Sequence, residues 1–219
     1  MTRDEVREWL RRGRDLPYQY VSIDASNKCT LQCPMCHRQT NIRNKVPPGE
    51  YGKDMPIADF IKINKHFEVF SFCGAVSDPI FCENLIEALS LLYETNKNAH
   101  IWVHTSATAK HRNKIWYEKA FLANPNAIWI FALDGMPETS HNYRVGQDGP
   151  FLWEMMKLGV DLGISVQWQY IVFRYNENDV EKAMAMAKEH NMLFELQITN
   201  RYEPDQKPLN PKWHVDEIL

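Results

Sequence analysis

Three cysteines, Cys29, Cys33 and Cys36, stand in one short segment, spaced C-x3-C-x2-C, with Pro34, Met35 and His37 around the last of them. Thiolates are soft ligands suited to iron–sulfur clusters and zinc. Three of them can bind three irons of a [4Fe–4S] cube and leave the fourth iron open. An open metal position is the mark of chemistry rather than scaffolding. Other uses of the same residues exist. At this spacing the cysteines could line one face of a buried helix, but Pro34 would remove a helical hydrogen bond. A zinc site would recruit His37, whose adjacency to Cys36 is awkward for tetrahedral ligation. A closed electron-transfer cluster needs a fourth ligand, which Cys73 supplies only if its strand ends beside the loop. Cys73 and Cys82 read more simply as small buried hydrophobes. Five cysteines, an odd number unevenly placed, argue against a disulfide framework and suit a reducing compartment.

The elements that must hold this loop are legible as alternating apolar runs and helical patterns. Strands are expected at Tyr20–Asp24, Glu68–Cys73, Ala99–His104, Ala127–Leu133, Ser165–Phe173 and Leu193–Thr199. Helices are expected at about Pro56–His66, Glu83–Asn96, Lys110–Ala123 and Phe151–Leu162, with another beginning near Asn176 as its N-cap. In the second of these helices Leu85, Ile86, Leu89, Leu92 and Tyr93 share a face. In the last, Val180, Ala183, Met184 and Ala187 face inward. Strict alternation of strand and helix implies a parallel sheet with right-handed crossovers. A closed eight-unit barrel takes about 250 residues; six units in this length fit an open, partial (β/α)6 barrel, with a doubly wound sheet as the alternative. The cysteines follow the first strand directly, at its C-terminal end, where parallel barrels carry their sites. The expected organisation is an N-terminal helix over residues 1–17, a barrel core over 18–200 and a polar, proline-rich tail over 201–219 packed across the outside or the open edge.

Composition sets the class. The 219 residues are 44% hydrophobic and 24% charged, as in an ordinary globular chain. No apolar run is long enough to span a membrane and the N-terminus lacks a signal-peptide core, so a cytoplasmic protein with no membrane partner is expected. With 25 basic against 28 acidic residues the net charge is −3. Nucleic acid is therefore not expected as a partner. The arginine-rich first helix, with Val6, Trp9 and Leu10 on its apolar face, reads as an amphipathic helix docked on the domain.

The cysteine segment placed after the first strand of such a series resembles the radical S-adenosylmethionine (radical SAM) superfamily. The resemblance covers most of the chain, about Tyr18 to Thr199, and itself implies a six-unit partial barrel. It implies that Cys29, Cys33 and Cys36 ligate a [4Fe–4S] cluster whose open iron chelates SAM. Met35 stands where the family usually has an aromatic residue, at a contact made largely by backbone. After the second strand, Cys73-Gly74-Ala75-Val76-Ser77-Asp78-Pro79 looks like the family's segment for the methionine amino group, with Ser77 in place of a glycine. This makes Gly74, Ser77 and Asp78 cofactor-binding candidates. His104-Thr105-Ser106 sits where relatives carry another such segment, which adds Thr105. Asp134-Gly135, followed by His141, Tyr143 and Arg144, is similar to the branch that modifies peptides; by that likeness Asp134 touches ribose and Arg144 the SAM carboxylate. That branch often carries a cysteine-rich C-terminal region, and no cysteine follows Cys82 here. The implied activity is reductive cleavage of SAM to methionine and a 5′-deoxyadenosyl radical that abstracts hydrogen from a substrate. The implied partners are a low-potential flavodoxin or ferredoxin and a peptide, protein or small metabolite. A metal-stabilised binding module without catalysis, holding zinc or an iron–sulfur cluster, and a SAM-binding relic without turnover are the rival functions.

Strand alternation nominates the substrate side. Val21 and Ile23 oppose Ser22 and Asp24; Val166, Trp168, Tyr170 and Val172 oppose Gln167, Gln169 and Ile171; Phe194, Leu196 and Ile198 oppose Glu195, Gln197 and Thr199. If helices cover the apolar faces, the polar faces point into the lumen. Asp24, His104, Gln167, Gln169, Glu195 and Gln197 are then substrate-pocket candidates.

Overall fold

The structure is a computed structural model; it describes residues 19–45, 54–74 and 76–215. The expected N-terminal helix lies outside the described residues. Six strands, β1 (Tyr20–Ile23), β2 (Val69–Phe72), β3 (His100–Thr105), β4 (Ile128–Ala132), β5 (Ser165–Ile171) and β6 (Leu193–Gln197), form one sheet in sequential order. Every neighbouring pair is parallel. β1 and β6 do not pair, so the barrel is open between them. Between the strands run α1 (His37–Arg43), α2 (Ile57–Asn64), α3 (Leu85–Thr95), α4 (Lys114–Ala123), α5 (Gly149–Asp161) and α6 (Val180–Glu189). The expected α/β partial barrel is present.

The sheet divides its two faces as the alternation requires. Val166, Trp168, Tyr170 and Val172 are buried against the helices in the main core, together with Phe70, Phe72, Val103, Trp129 and Phe131. On the opposite face a second, small cluster joins Val69, Trp102 and Ile130 to Tyr20 and Ile128. Tyr20, Val69 and Ile128 each begin their strand. The cluster therefore covers the inner face of β1 to β4 toward its N-terminal ends, and Ile130 borders the polar positions His104 and Gln167.

Differences from the sequence reading have local causes. α4 starts at Lys114, because the Asn113 side chain accepts from Trp116 N–H and caps it there. Asn176 does not cap α6, whose N-cap position is Asp179. Its buried side chain instead accepts from Phe173 N–H and donates to the Ile171 carbonyl, stapling the loop after β5. Met184 is exposed, while Val180, Ala183 and Ala187 are buried as expected. Tyr93 likewise lies at the edge of its helix's apolar stripe and is partly exposed. α1, not expected from the sequence, begins immediately after the cysteines with Cys36 at its N-cap position. The tail packs over the β5–α6 loop: Gln206 accepts from Arg174 N–H through its carbonyl, and the Glu177 carboxylate accepts from Leu209 and Asn210 N–H.

Candidate functional site

The loops at the C-terminal ends of the strands are fastened to one another. From the β1 loop, Gln32 N–H donates to the Val145 carbonyl at 2.9 Å, tying the residue before Cys33 to the residue after Arg144. The Thr30 hydroxyl donates to the Thr108 carbonyl after β3. Asp78 N–H donates to the Lys28 carbonyl, and the Ser77 hydroxyl to Asp24 Oδ1 at 2.8 Å. Across the open side, Arg201 Nη2 donates to the Met35 carbonyl at 2.6 Å.

Asp78 is the knot between the β2 and β3 loops. Its Oδ1 accepts from Thr105 Oγ1 and Ile80 N–H, and its Oδ2 from Ser106 and Ala107 N–H. Burial pushes its carboxyl upward, and those hydrogen bonds oppose the shift. Gln147 adds a second clasp: its Nε2 donates to the Ser106 and Ala132 carbonyls. Because both partners are acceptors, the amide orientation is fixed, and Oε1 is buried with no donor among the described residues.

Asp134 follows β4 and is fully buried. Its Oδ2 meets Arg144 Nε at 2.7 Å and its Oδ1 accepts from Ile171 N–H at 2.9 Å. The Tyr175 hydroxyl donates to its carbonyl. Burial pushes the Asp134 carboxyl up, against the pull of Arg144. Burial works most strongly against the Arg144 charge, but Asp134, Cys33 and Tyr143 together outweigh it and the guanidinium holds its proton more firmly than usual. Gly135 adopts φ +121, and a Cβ there would come within 2.9 Å of Thr139 Oγ1, so the turn that aims Asp134 requires glycine.

The thiols sit beside this pair. Cys33 is buried; Cys29 and Cys36 are half-buried. Burial pushes Cys29 up to about 12, with Asp78, Cys33 and Cys36 adding to the shift. Burial also raises Cys33; Arg144 is the strongest opposing influence, and Cys36 and Asp134 raise it further. The three sulfurs thus feel one another's charge. Among the described residues no three His, Cys, Asp or Glu side chains converge on one ion, and the tetrahedral arrangement with His37 is not formed. A cube asks less convergence, because each thiolate takes a different iron. The donor set, three soft sulfurs on one loop, fits such a cluster.

The predicted side chains fall into two groups. Cys29, Cys33, Cys36, Met35, Gly74, Ser77, Asp78, Asp134 and Arg144 lie on the segments that follow the C-terminal ends of β1, β2 and β4, and Thr105 is the last residue of β3. Within it, Ser77, Asp78, Thr105 and Asp134 have their polar atoms engaged by the chain itself, so they shape the loops. Arg144 keeps 13% of its side chain exposed, and Nε to Asp134 is the hydrogen bond that the described residues give it. The second group lines the lumen. The register sets His104 beside Ile130, Ile130 beside Gln167, and Gln169 beside Glu195. The Glu195 carboxylate accepts from the Gln167 and Gln197 amides. Asp24 is drawn off this group to the β2 loop by Ser77. Gln147 and Arg201 were not indicated by the sequence. Gln147 is reached through a turn, and Arg201 meets its partner across 166 positions, so no local pattern marks either.

Neither a family model nor a curated protein sequence matches this chain. Solved structures share its fold. SuiB of Streptococcus suis bound to S-adenosylmethionine superposes with a TM-score of 0.65 at 14% identity, over 95% of this chain and 47% of SuiB. Native anSMEcpe with bound AdoMet and the Cp18Cys peptide gives 0.61 at 17% identity, over 88% of this chain and 55% of anSMEcpe. TYW1 with a lysine–pyruvate adduct bound gives 0.53 at 11% identity, over 92% of this chain and 76% of TYW1. The chain thus spans about half the length of SuiB and of anSMEcpe. In fold, the chain is similar to SuiB, anSMEcpe and TYW1.

Proposed function

We propose that this chain is a radical SAM enzyme in which Cys29, Cys33 and Cys36 hold a [4Fe–4S] cluster. The observation that carries the proposal is the position of the three-thiol loop. It lies at the C-terminal end of β1 in an open six-strand parallel barrel, tied by Gln32 to the loop that bears Arg144. Cluster and SAM together supply reductive cleavage of a sulfonium and a hydrogen-abstracting radical. The chain's own residues bind, orient and shield. Arg144, aimed by Asp134, offers its remaining N–H groups to the SAM carboxylate. Backbone at Met35 and Gly74 provides close approach to the nucleotide and the amino group. Asp78, Thr105 and Ser77 hold those backbones in place. The Gln147 oxygen is an acceptor awaiting a donor beside Ser106.

The lumen residues His104, Gln167, Gln169, Glu195 and Gln197, with Asp24 at the rim, form the substrate wall. A peptide or protein is the preferred substrate. The polar wall supports it, and so do the peptide complexes of SuiB, bound to precursor peptide SuiA, and of anSMEcpe. A small metabolite is the second choice. The electron donor is a low-potential flavodoxin or ferredoxin. Free thiols at Cys29, Cys33 and Cys36 suit a reducing cytoplasm; no helix among the described residues is long and apolar enough to cross a membrane.

Anaerobic reconstitution tests the proposal. The chain is expected to take up about four irons and, when reduced, to release 5′-deoxyadenosine from SAM; the triple Cys→Ala variant does neither. Zinc at one equivalent with no iron–sulfur spectrum would favour a binding module, and SAM binding without cleavage a relic. Unchanged cleavage in the triple variant would remove the assignment.

A further inference from the structure

The cysteine loop is gripped by arginines from both ends of the chain. Arg38 Nη1 donates to the Asn27 carbonyl at 2.9 Å, and Arg43 Nη2 to the Pro34 carbonyl at 3.0 Å. Both come from α1, next to the loop in sequence. Arg201 Nη2 reaches the Met35 carbonyl at 2.6 Å from beyond β6, and Arg144 stands beside Cys33 through the Gln32–Val145 bond. Asp78 is the carboxylate whose charge bears on Cys29, and Asp134 the one that bears on Cys33; Asp134 is paired to Arg144 and Asp78 accepts four hydrogen bonds. The carbonyls satisfied by Arg38, Arg43 and Arg201 could each have been satisfied by a neutral donor. Three guanidinium charges are used instead.

Each electron given to an iron–sulfur cluster adds a negative charge. Its potential therefore responds to net charge, hydrogen bonding and solvent exposure around it. Cations held close favour the reduced state; anions oppose it. Arg38 and Arg43 belong to the same local turn as the ligands and cannot be separated from loop folding. Arg201 differs. It arrives from beyond the far edge of the sheet, it holds a carbonyl rather than a thiol, and its bond links the loop after β6 to the cysteine loop after β1.

Building on the radical SAM reading, we propose that Arg201 is a positioning residue whose charge, laid on the Met35 carbonyl, raises the reduction potential of the cluster, with the Arg144–Asp134 pair as the second lever. Removing the Arg201 cation should lower the potential, and removing the Asp134 anion should raise it.

The test is a dithionite redox titration of reconstituted protein followed by the electron paramagnetic resonance signal of the reduced cluster, with iron counted in each sample. R201Q is expected to keep its iron and show about a tenfold lower ratio of reduced to oxidised cluster at a fixed potential, a 59 mV downward shift for one electron. R201K, which keeps the charge, should stay near wild type. D134N should shift the other way. An iron-replete R201Q with the wild-type potential overturns the proposal, as does an equal fall in R201K. If R201Q holds no iron, D134N decides: an upward shift supports the charge mechanism and an unmoved potential overturns it. A wild-type protein that never shows an iron–sulfur signal overturns this inference together with the function it rests on, so the two failures are distinct.

Discussion

Arg144→Met isolates a buried charge. Asp134 is fully buried, and its carboxylate is held by Arg144 at 2.7 Å and by Ile171 N–H at 2.9 Å. At that separation the gross attraction is about 6 kcal/mol for an effective dielectric near 20, most of it offset by the desolvation of both groups. Removing the guanidinium leaves the carboxylate its desolvation cost with one amide as compensation, and loss of one partner from a buried pair costs about 3–5 kcal/mol. Asp134→Asn is milder, about 2 kcal/mol, because the Ile171 bond survives and Arg144 retains contact with solvent. The double variant should cost less than the two singles added, with a coupling of about 2 kcal/mol. Urea unfolding of matched preparations at pH 7, read by circular dichroism and by tryptophan fluorescence, supplies all three values. A cost below about 1 kcal/mol for Arg144→Met, or additivity within about 0.5 kcal/mol, would show that the pair is not the buried, coupled unit described.

Further outcomes are expected of the same chain. Metal-free protein should lose stability as pH rises from 9 toward about 12, because folded Cys29 keeps its proton across that window while the unfolded thiol gives it up. The upper limit is about 4 kcal/mol from that one thiol, and guanidine titrations across the pH range measure it. Iron loading near neutral pH should release protons for the same reason, which a weakly buffered titration registers; no release would mean that the thiols were already ionised. Asp78→Ala should destabilise by about 3 kcal/mol or more, since it strips the Ser106 and Ala107 amides and the Thr105 hydroxyl of a charged acceptor. Trp102→Ala should cost about 3–5 kcal/mol by emptying the base of the lumen.

The order of the sheet was legible because its signal is repeated. Each strand is a short apolar run with one largely apolar face, and the helices after α1 carry apolar residues at the helical period. The cysteine loop was legible because three like residues so close together are informative without any fold. What the sequence did not show was a second task of the acids around it. Asp78 and Asp134 read as ligand contacts because their positions match a family pattern. Their carboxylates also accept from neighbouring loops, and that depends on where the backbone amides of Ser106, Ala107 and Ile171 come to lie. The same holds for Asn176. A residue well suited to begin a helix found two backbone partners nearer at hand, and the helix began later. Short-range preference fixes what a side chain can do; the packed sheet chooses among those uses.

The cluster of Val69, Trp102 and Ile130 has a consequence for traffic. Apolar side chains cover the inner face of β1 to β4 toward its N-terminal ends, so on the proposed function a substrate would meet the polar inner positions from the loop side of the sheet. A long peptide would then present one residue to those positions as a bent loop or a free end, with the rest of its length left outside.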